Sequence, residues 1–239
     1  MSADDYRTLR KRMISTRERL SKFIKPPTHS LAHIFNKKPP GNENFVSYWL
    51  AFLLNAPVFG SNEPLRALLR LAGIKLPKKF ASTDISFTRE RKFQNKKRID
   101  FFIDMPDFII GIENKIGTTA GQNQLEDYSD SLIDISRKKM KKKSPILYYL
   151  TPENAKGTID DFKDLNSHLS TKPKQDHHDQ VQALHITYGQ LWKEFDKTEK
   201  TITANIQNYA GSSKYLQEKL ERSLFYLKEF QEYVKEYIV

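Results

Sequence analysis

Arg98-Ile99-Asp100-Phe101-Phe102-Ile103-Asp104, a break at Pro106-Asp107, and then Phe108-Ile109-Ile110-Gly111-Ile112-Glu113-Asn114-Lys115 form the stretch that decides how this chain folds. Both arms are rich in branched and aromatic residues, which suit a pleated, largely buried surface. Pro106-Asp107 is turn chemistry. The reading is a β-hairpin, and a symmetric turn sets Asp100 directly opposite Glu113. Opposed residues share a face, with Cβ atoms roughly 4.5–5.5 Å apart, so two carboxylates there repel unless a cation lies between them. A hard divalent ion such as Mg2+ takes carboxylate oxygens and keeps several waters. Lys115, two residues beyond Glu113, projects from the same face. A slip of one residue would send Asp100 and Glu113 to opposite faces and dissolve the cluster. Glu-x-Lys alone is a common chance match, and on an exposed edge it is a solvated pair worth little. Its place at the end of an apolar run, where a charge needs a partner or a ligand, argues for a site.

Outward from the hairpin, Ile85 to Arg89 alternates like a third strand. Upstream, Asn42 is a candidate N-cap for a helix over Glu43–Leu54, whose apolar positions cover more than one stripe and demand deep packing. A second helix starts at Ser61-Asn62-Glu63-Pro64 and ends at Gly73. Downstream, Gln122 to Ile135 is helical, Pro145 to Leu150 and Ala183 to Thr187 are strands, and Asn166 to Gln180 is a polar loop. Helices over Tyr188–Tyr209 and Ser213–Ile238 finish the chain. A three-strand meander, a helix, two further strands and flanking helices describe an α/β layered domain over 42–239. A basic amphipathic helix within residues 1–27 precedes it, stopped by Pro26-Pro27.

The 239 residues carry 40 Lys+Arg against 29 Asp+Glu, a formal charge of +11, so a polyanion is the first partner to consider. Nucleic acid comes ahead of an acidic membrane surface. The chain has no cysteine, which excludes disulfides, thiolate zinc sites and cysteine nucleophiles. The longest apolar run, Tyr48 to Leu54, is far short of the roughly 20 residues that span a bilayer. The expectation is a soluble cytoplasmic protein with no membrane contact.

Asp100 and Glu113-Asn114-Lys115 resemble the Asp…Glu-x-Lys signature of the PD-(D/E)XK nuclease superfamily. The Pro of the family name is replaced by Ile99. Asn42 to Leu54 resembles the family's N-terminal helix, with its additional acidic residue at Glu43. Gln124-Leu125-Glu126-Asp127-Tyr128 is similar to the Gln-x-x-x-Tyr start of the helix after the catalytic hairpin. Tyr148 to Pro152 and His185 to Tyr188 resemble a later strand and a strand-to-helix junction. The resemblance implies a restriction-endonuclease-like core, a mixed central sheet flanked by helices, with extra N- and C-terminal helices. It implies Mg2+, with Mn2+ able to substitute, and hydrolysis of phosphodiester bonds in DNA. Asp100 and Glu113, with the Asn114 carbonyl, would hold metal, and Glu43 would bind metal-coordinated water or a second ion. Lys115 would stabilise charge or position water, and Gln124 and Tyr128 would orient water or phosphate. A catalytically silent nucleic-acid-binding protein on the same fold is the rival reading.

Arg89, Arg91, Lys92, Lys96, Lys97 and Arg98 crowd the approach to the catalytic strand and are candidates for phosphate contact. Lys138 to Lys143 could do the same or form a solvated loop. Glu90 could face the site or pair with a neighbouring Arg. His177 and His178, with Asp176 and Asp179, read as a solvated loop, and His29 and His33 have no assigned role. Leu216, Leu220, Leu227, Phe230, Val234 and Tyr237 form a stripe for packing against the core, with a homodimer seam as the alternative.

Overall fold

The computed structural model describes residues 43–74, 84–117, 123–139, 142–153, 155, 165, 180–209 and 214–238. The expected helix near the N-terminus, His29, His33, and Asp176 to Asp179 lie outside them. The described elements are α1 (Glu43–Leu54), α2 (Ala56–Phe59), α3 (Glu63–Leu71), β1 (Ser86–Lys92), β2 (Arg98–Asp104) and β3 (Phe108–Asn114). They continue with α4 (Gln124–Lys138), β4 (Ser144–Thr151), β5 (Gln182–Thr187), α5 (Tyr188–Tyr209) and α6 (Lys214–Tyr237). The strands form one mixed sheet in the order β1-β2-β3-β4-β5. The first three pair antiparallel, and β3, β4 and β5 run parallel. This is the mixed α/β core expected of the resemblance.

The single turn α2 was not expected from the sequence. Pro57 sits in its first turn, and Gly60 at φ +90°, a conformation that favours glycine, closes it by donating its N–H to Ala56 C=O at 2.8 Å. β1 runs past Arg89 to Lys92, through a left-handed residue at Glu90. β3 ends at Asn114, and the Lys115 N–H just beyond it still donates to Leu150 C=O on β4 at 2.9 Å, which keeps Lys115 against the sheet.

The two sheet faces are covered differently. α4 lays Leu125, Tyr128, Leu132 and Ile133 over Ile99, Phe102, Ile109, Leu147 and Tyr149. That approach needs Gly111, since a Cβ there would lie 2.6 Å from Ile99 Cδ1 and 3.0 Å from Leu132 Cδ1. Tyr148 points the other way and donates its hydroxyl to Leu68 C=O on α3 at 2.9 Å. α1 is buried around most of its circumference, as its composition predicts, with Phe45, Trp49 and Phe52 packed on Tyr226, Phe230 and Tyr233 of α6. Each large side chain so buried is worth about 1.5–3 kcal/mol over its exposed state. Leu220, Leu227, Phe230 and Val234 of the expected stripe are therefore spent on intramolecular packing. The side chains of Leu216 and Tyr237 lie outside the described residues. No helix among the described residues is long and apolar enough to cross a membrane.

Candidate active site

The hairpin pairs Phe101 with Ile112, Phe102 with Gly111, Ile103 with Ile110 and Asp104 with Ile109. This is the symmetric register; the ladder ends at Phe101–Ile112, and Asp100 and Glu113 stand one rung beyond it. At that rung the main-chain ladder gives way to side chains: the Asn114 N–H donates to Asp100 Oδ2 at 2.7 Å. Lys115 Nζ lies 2.9 Å from Glu113 Oε1 and 3.6 Å from Glu43 Oε1. Glu43 Oε2 also accepts the Ile116 N–H at 3.4 Å, so α1 delivers its first carboxylate to the end of β3.

Gln124 and Tyr128, one helical turn apart on α4, work as a unit. The Gln124 amide donates to Glu113 Oε1 at 2.9 Å and to the Tyr128 hydroxyl at 2.7 Å. Tyr128 in turn donates to the Arg98 carbonyl at the start of β2. Gln124 therefore holds a carboxylate of the site, where the sequence suggested water or phosphate.

The Asn114 side chain makes contacts that its sequence position does not reveal. It is fully buried, donating to Ser47 Oγ of α1 at 2.9 Å and accepting from the Tyr188 hydroxyl of α5 at 2.5 Å. Ser47 stands one turn beyond Glu43 on the same face of α1. The Asn114–Ser47 bond thus fixes the rotation of the helix that presents Glu43. A lone Ser in an otherwise apolar helix segment is the signal that could have found it; Tyr188 offered none.

Asp100, Glu113, Lys115, Gln124 and Tyr128 line one cleft of about 330 Å³ with Glu90, Lys97 and Arg98. Burial pushes the Asp100 carboxyl up to about 6; the Asn114 N–H and Lys115 oppose the shift, and Glu43 and Glu90 add to it. Burial and then Asp100 push Glu113 up to about 8, against the pull of Lys115. For Lys115, burial works against the charge, but Glu113, Glu43 and Asp100 outweigh it and raise its pKa. Glu113 Oε2 is buried with no hydrogen-bond partner. A buried carboxyl oxygen left without a partner is costly, whichever form the group takes, and among the described residues it is the one buried polar side-chain atom of the cleft that the fold leaves unsatisfied.

Residues 30–217 match the sequence model of the PD-(D/E)XK nuclease superfamily. The chain belongs to this superfamily. No curated protein matches it in sequence. In structure it is similar to the small subunit of the heterodimeric restriction endonuclease R.BspD6I, at 12% identity and a TM-score of 0.27, over 79% of this chain and 95% of that one.

In this PD-(D/E)XK chain the basic residues at and before the start of β2 separate into three groups. Arg89 lies over the Tyr48 ring at 3.9 Å and Arg91 over the Phe102 ring at 3.7 Å. Lys97 pairs with Asp127, and Arg98 with Glu90 at 3.3 Å. Lys92 and Lys96 are exposed and make no ion pair among the described residues. The second basic stretch serves the opposite end of the sheet: Lys139 Nζ is 2.7 Å from Asp104 Oδ2, and Lys143 bonds Oδ1.

The donor set fits a hard divalent cation. Among the described residues no three acidic or imidazole side chains converge into a cage of their own. Two carboxylates, a backbone carbonyl and retained waters are what Mg2+ accepts, and the orphaned Glu113 Oε2 supplies the missing reason for one.

Proposed function

We propose that this protein is a Mg2+-dependent nuclease that hydrolyses phosphodiester bonds in DNA. The observation that carries the reading is the convergence of Asp100, Glu113 and Lys115 in one cleft, with a buried Glu113 oxygen lacking a hydrogen-bond partner. The Asp100 and Glu113 carboxylates, with the Asn114 carbonyl, would hold Mg2+ or Mn2+. In that position the ion supplies positive charge and Lewis acidity beside the scissile phosphate.

The chain's own residues do the remaining work. Lys115, kept protonated by three carboxylates, presents an ammonium where negative charge grows on phosphate oxygens. Glu43 and Glu113 fix its direction. Gln124 locks the Glu113 carboxylate, and Tyr128 locks Gln124 to β2. Arg98 lines the cleft and is exposed, and Lys92 and Lys96 are exposed; these three are suited to the phosphate backbone, while Arg89 and Arg91 are held by aromatic rings. The net charge of +11 supports the same class of partner.

The test is incubation of supercoiled plasmid, linear duplex, single-stranded DNA and RNA with the protein in Mg2+, Mn2+ or EDTA. Metal-dependent cutting of DNA that EDTA abolishes supports the reading. Tight, salt-sensitive binding without cutting under any metal overturns it in favour of a silent binding protein.

A further inference from the structure

Glu90 is one of three non-glycine residues among those described whose φ is positive, at +51°, and it lies inside strand β1. A glutamate gains nothing from that conformation, which is uncommon outside Gly, Asn and Asp. The strain does not serve the pairing. The rungs on either side, Arg89 with Phe101 and Arg91 with Ile99, keep one register, so no residue is inserted and no strand is shifted. The rung skipped between them is Glu90 with Asp100. A strained residue in an unshifted ladder, facing a catalytic carboxylate, is the pattern of a conformation kept for function.

Its surroundings say what that function is. Glu90 lines the same cleft as Asp100, Glu113 and Lys115. Glu43 is tied to Lys115 and to a main-chain N–H; the only ion pair described for Glu90 is with Arg98 at 3.3 Å, between side chains 45% and 64% exposed. A pair so exposed to water is worth little and yields readily to a cation or a phosphate. The partnerless, almost fully buried Glu113 Oε2 independently marks the cleft as a place for a cation.

Resting on the nuclease reading above, we propose that Glu90 is a further acidic residue of the active site, held in its left-handed conformation to bind, through water, the divalent cation carried by Asp100 and Glu113. Mg2+ and Mn2+ retain several waters when two carboxylates hold them, so a carboxylate at second distance has ligands to receive.

The experiment compares Glu90→Gly, which relieves the backbone, with Glu90→Gln, which keeps its strain and removes the charge. Both should lower kcat at least tenfold with KM within twofold. Glu90→Gly should melt at or above the wild-type temperature. Calorimetric titration of metal-free protein with Mn2+ alone should show affinity at least threefold weaker in both variants. Wild-type cleavage and wild-type Mn2+ affinity in either variant overturn the proposal. Should the wild type cut no nucleic acid, the nuclease reading fails, and the Mn2+ titration still decides the role of Glu90.

Discussion

Asp100 and Asp104 lie four residues apart on β2 and share a residue type, a strand and a sheet, yet their surroundings are opposite. Asp104 sits between Lys139 and Lys143, which together outweigh its burial and hold its carboxyl below the usual range. Asp100 sits among Glu113, Glu43 and Glu90, with burial as the dominant influence, and its carboxyl is pushed up to about 6. One end of the strand has its charges matched by the protein. The other has an excess of carboxylates that the protein does not match, and leaves Glu113 Oε2 without a partner. The lesson is that acidic residues kept for structure and those kept for a ligand can be told apart by whether the fold satisfies them.

The largest effect expected from this contrast is on catalysis. Lys115→Ala should lower the rate of DNA cleavage by about a thousandfold or more, the scale of losing a principal stabiliser of transition-state charge. Lys143→Ala, at the satisfied end, should leave the rate within about twofold and lower the melting temperature by a few degrees. Equal rates for the two variants in a plasmid-nicking assay would erase the distinction between the ends.

Stability against pH should divide in the same way. In the metal-free folded protein, Asp100 and Glu113 keep protons up to about 6 and about 8, while the unfolded chain releases them near about 4. The folded state then binds more protons across that window, so stability falls as pH rises through it and is lowest above about 8. Asp104 acts with the opposite sign: its contribution is present above the unfolded pKa and is lost as pH falls through the lowered folded value. Melting curves from pH 4 to 9 in EDTA should show the upper decline, and Glu113→Gln should flatten it. Millimolar Mg2+ at pH 8 should raise the wild-type melting temperature and leave Glu113→Gln little changed.

A smaller effect is expected from the pin that sets the site's geometry. Ser47→Ala removes the partner of the Asn114 amide and should cost about 1–3 kcal/mol of stability, the usual penalty for a buried polar group left unpaired. Cleavage should fall about tenfold, with a higher Mg2+ concentration needed for half-maximal rate, because Glu43 is presented by the same helix. Ser47→Thr should recover most of both losses. The smallest effect belongs to the exposed lysines: Lys92→Gln and Lys96→Gln should each reduce the slope of log affinity against log salt by about one, without changing kcat.

The hairpin and its register were legible in the sequence because two runs of branched and aromatic residues about a symmetric Pro106-Asp107 turn leave few other ways to bury Phe101, Phe102, Ile110 and Ile112. Glu43 was legible only through resemblance, since an acidic residue in the first turn of a helix has an ordinary electrostatic reason to be there. The Asn114–Ser47–Tyr188 network was not, because it joins residues 67 and 74 positions apart through side chains that no local pattern relates. Nor was the division of the basic residues: Arg91 is claimed by the Phe102 ring, and Lys143 by Asp104, through tertiary contacts alone. The strain at Glu90 leaves no trace in composition or periodicity.

If the protein is a nuclease, the unsatisfied end of β2 is where phosphodiester bonds are cut. The direct measurement is Mg2+-dependent plasmid cleavage by Asp100→Asn and Asp104→Asn, assayed beside wild type with circular dichroism to confirm folding. A folded Asp100→Asn protein should show no detectable cutting, and Asp104→Asn should cut at near the wild-type rate with a reduced melting temperature. Cleavage by Asp100→Asn at the wild-type rate would contradict that placement of the site.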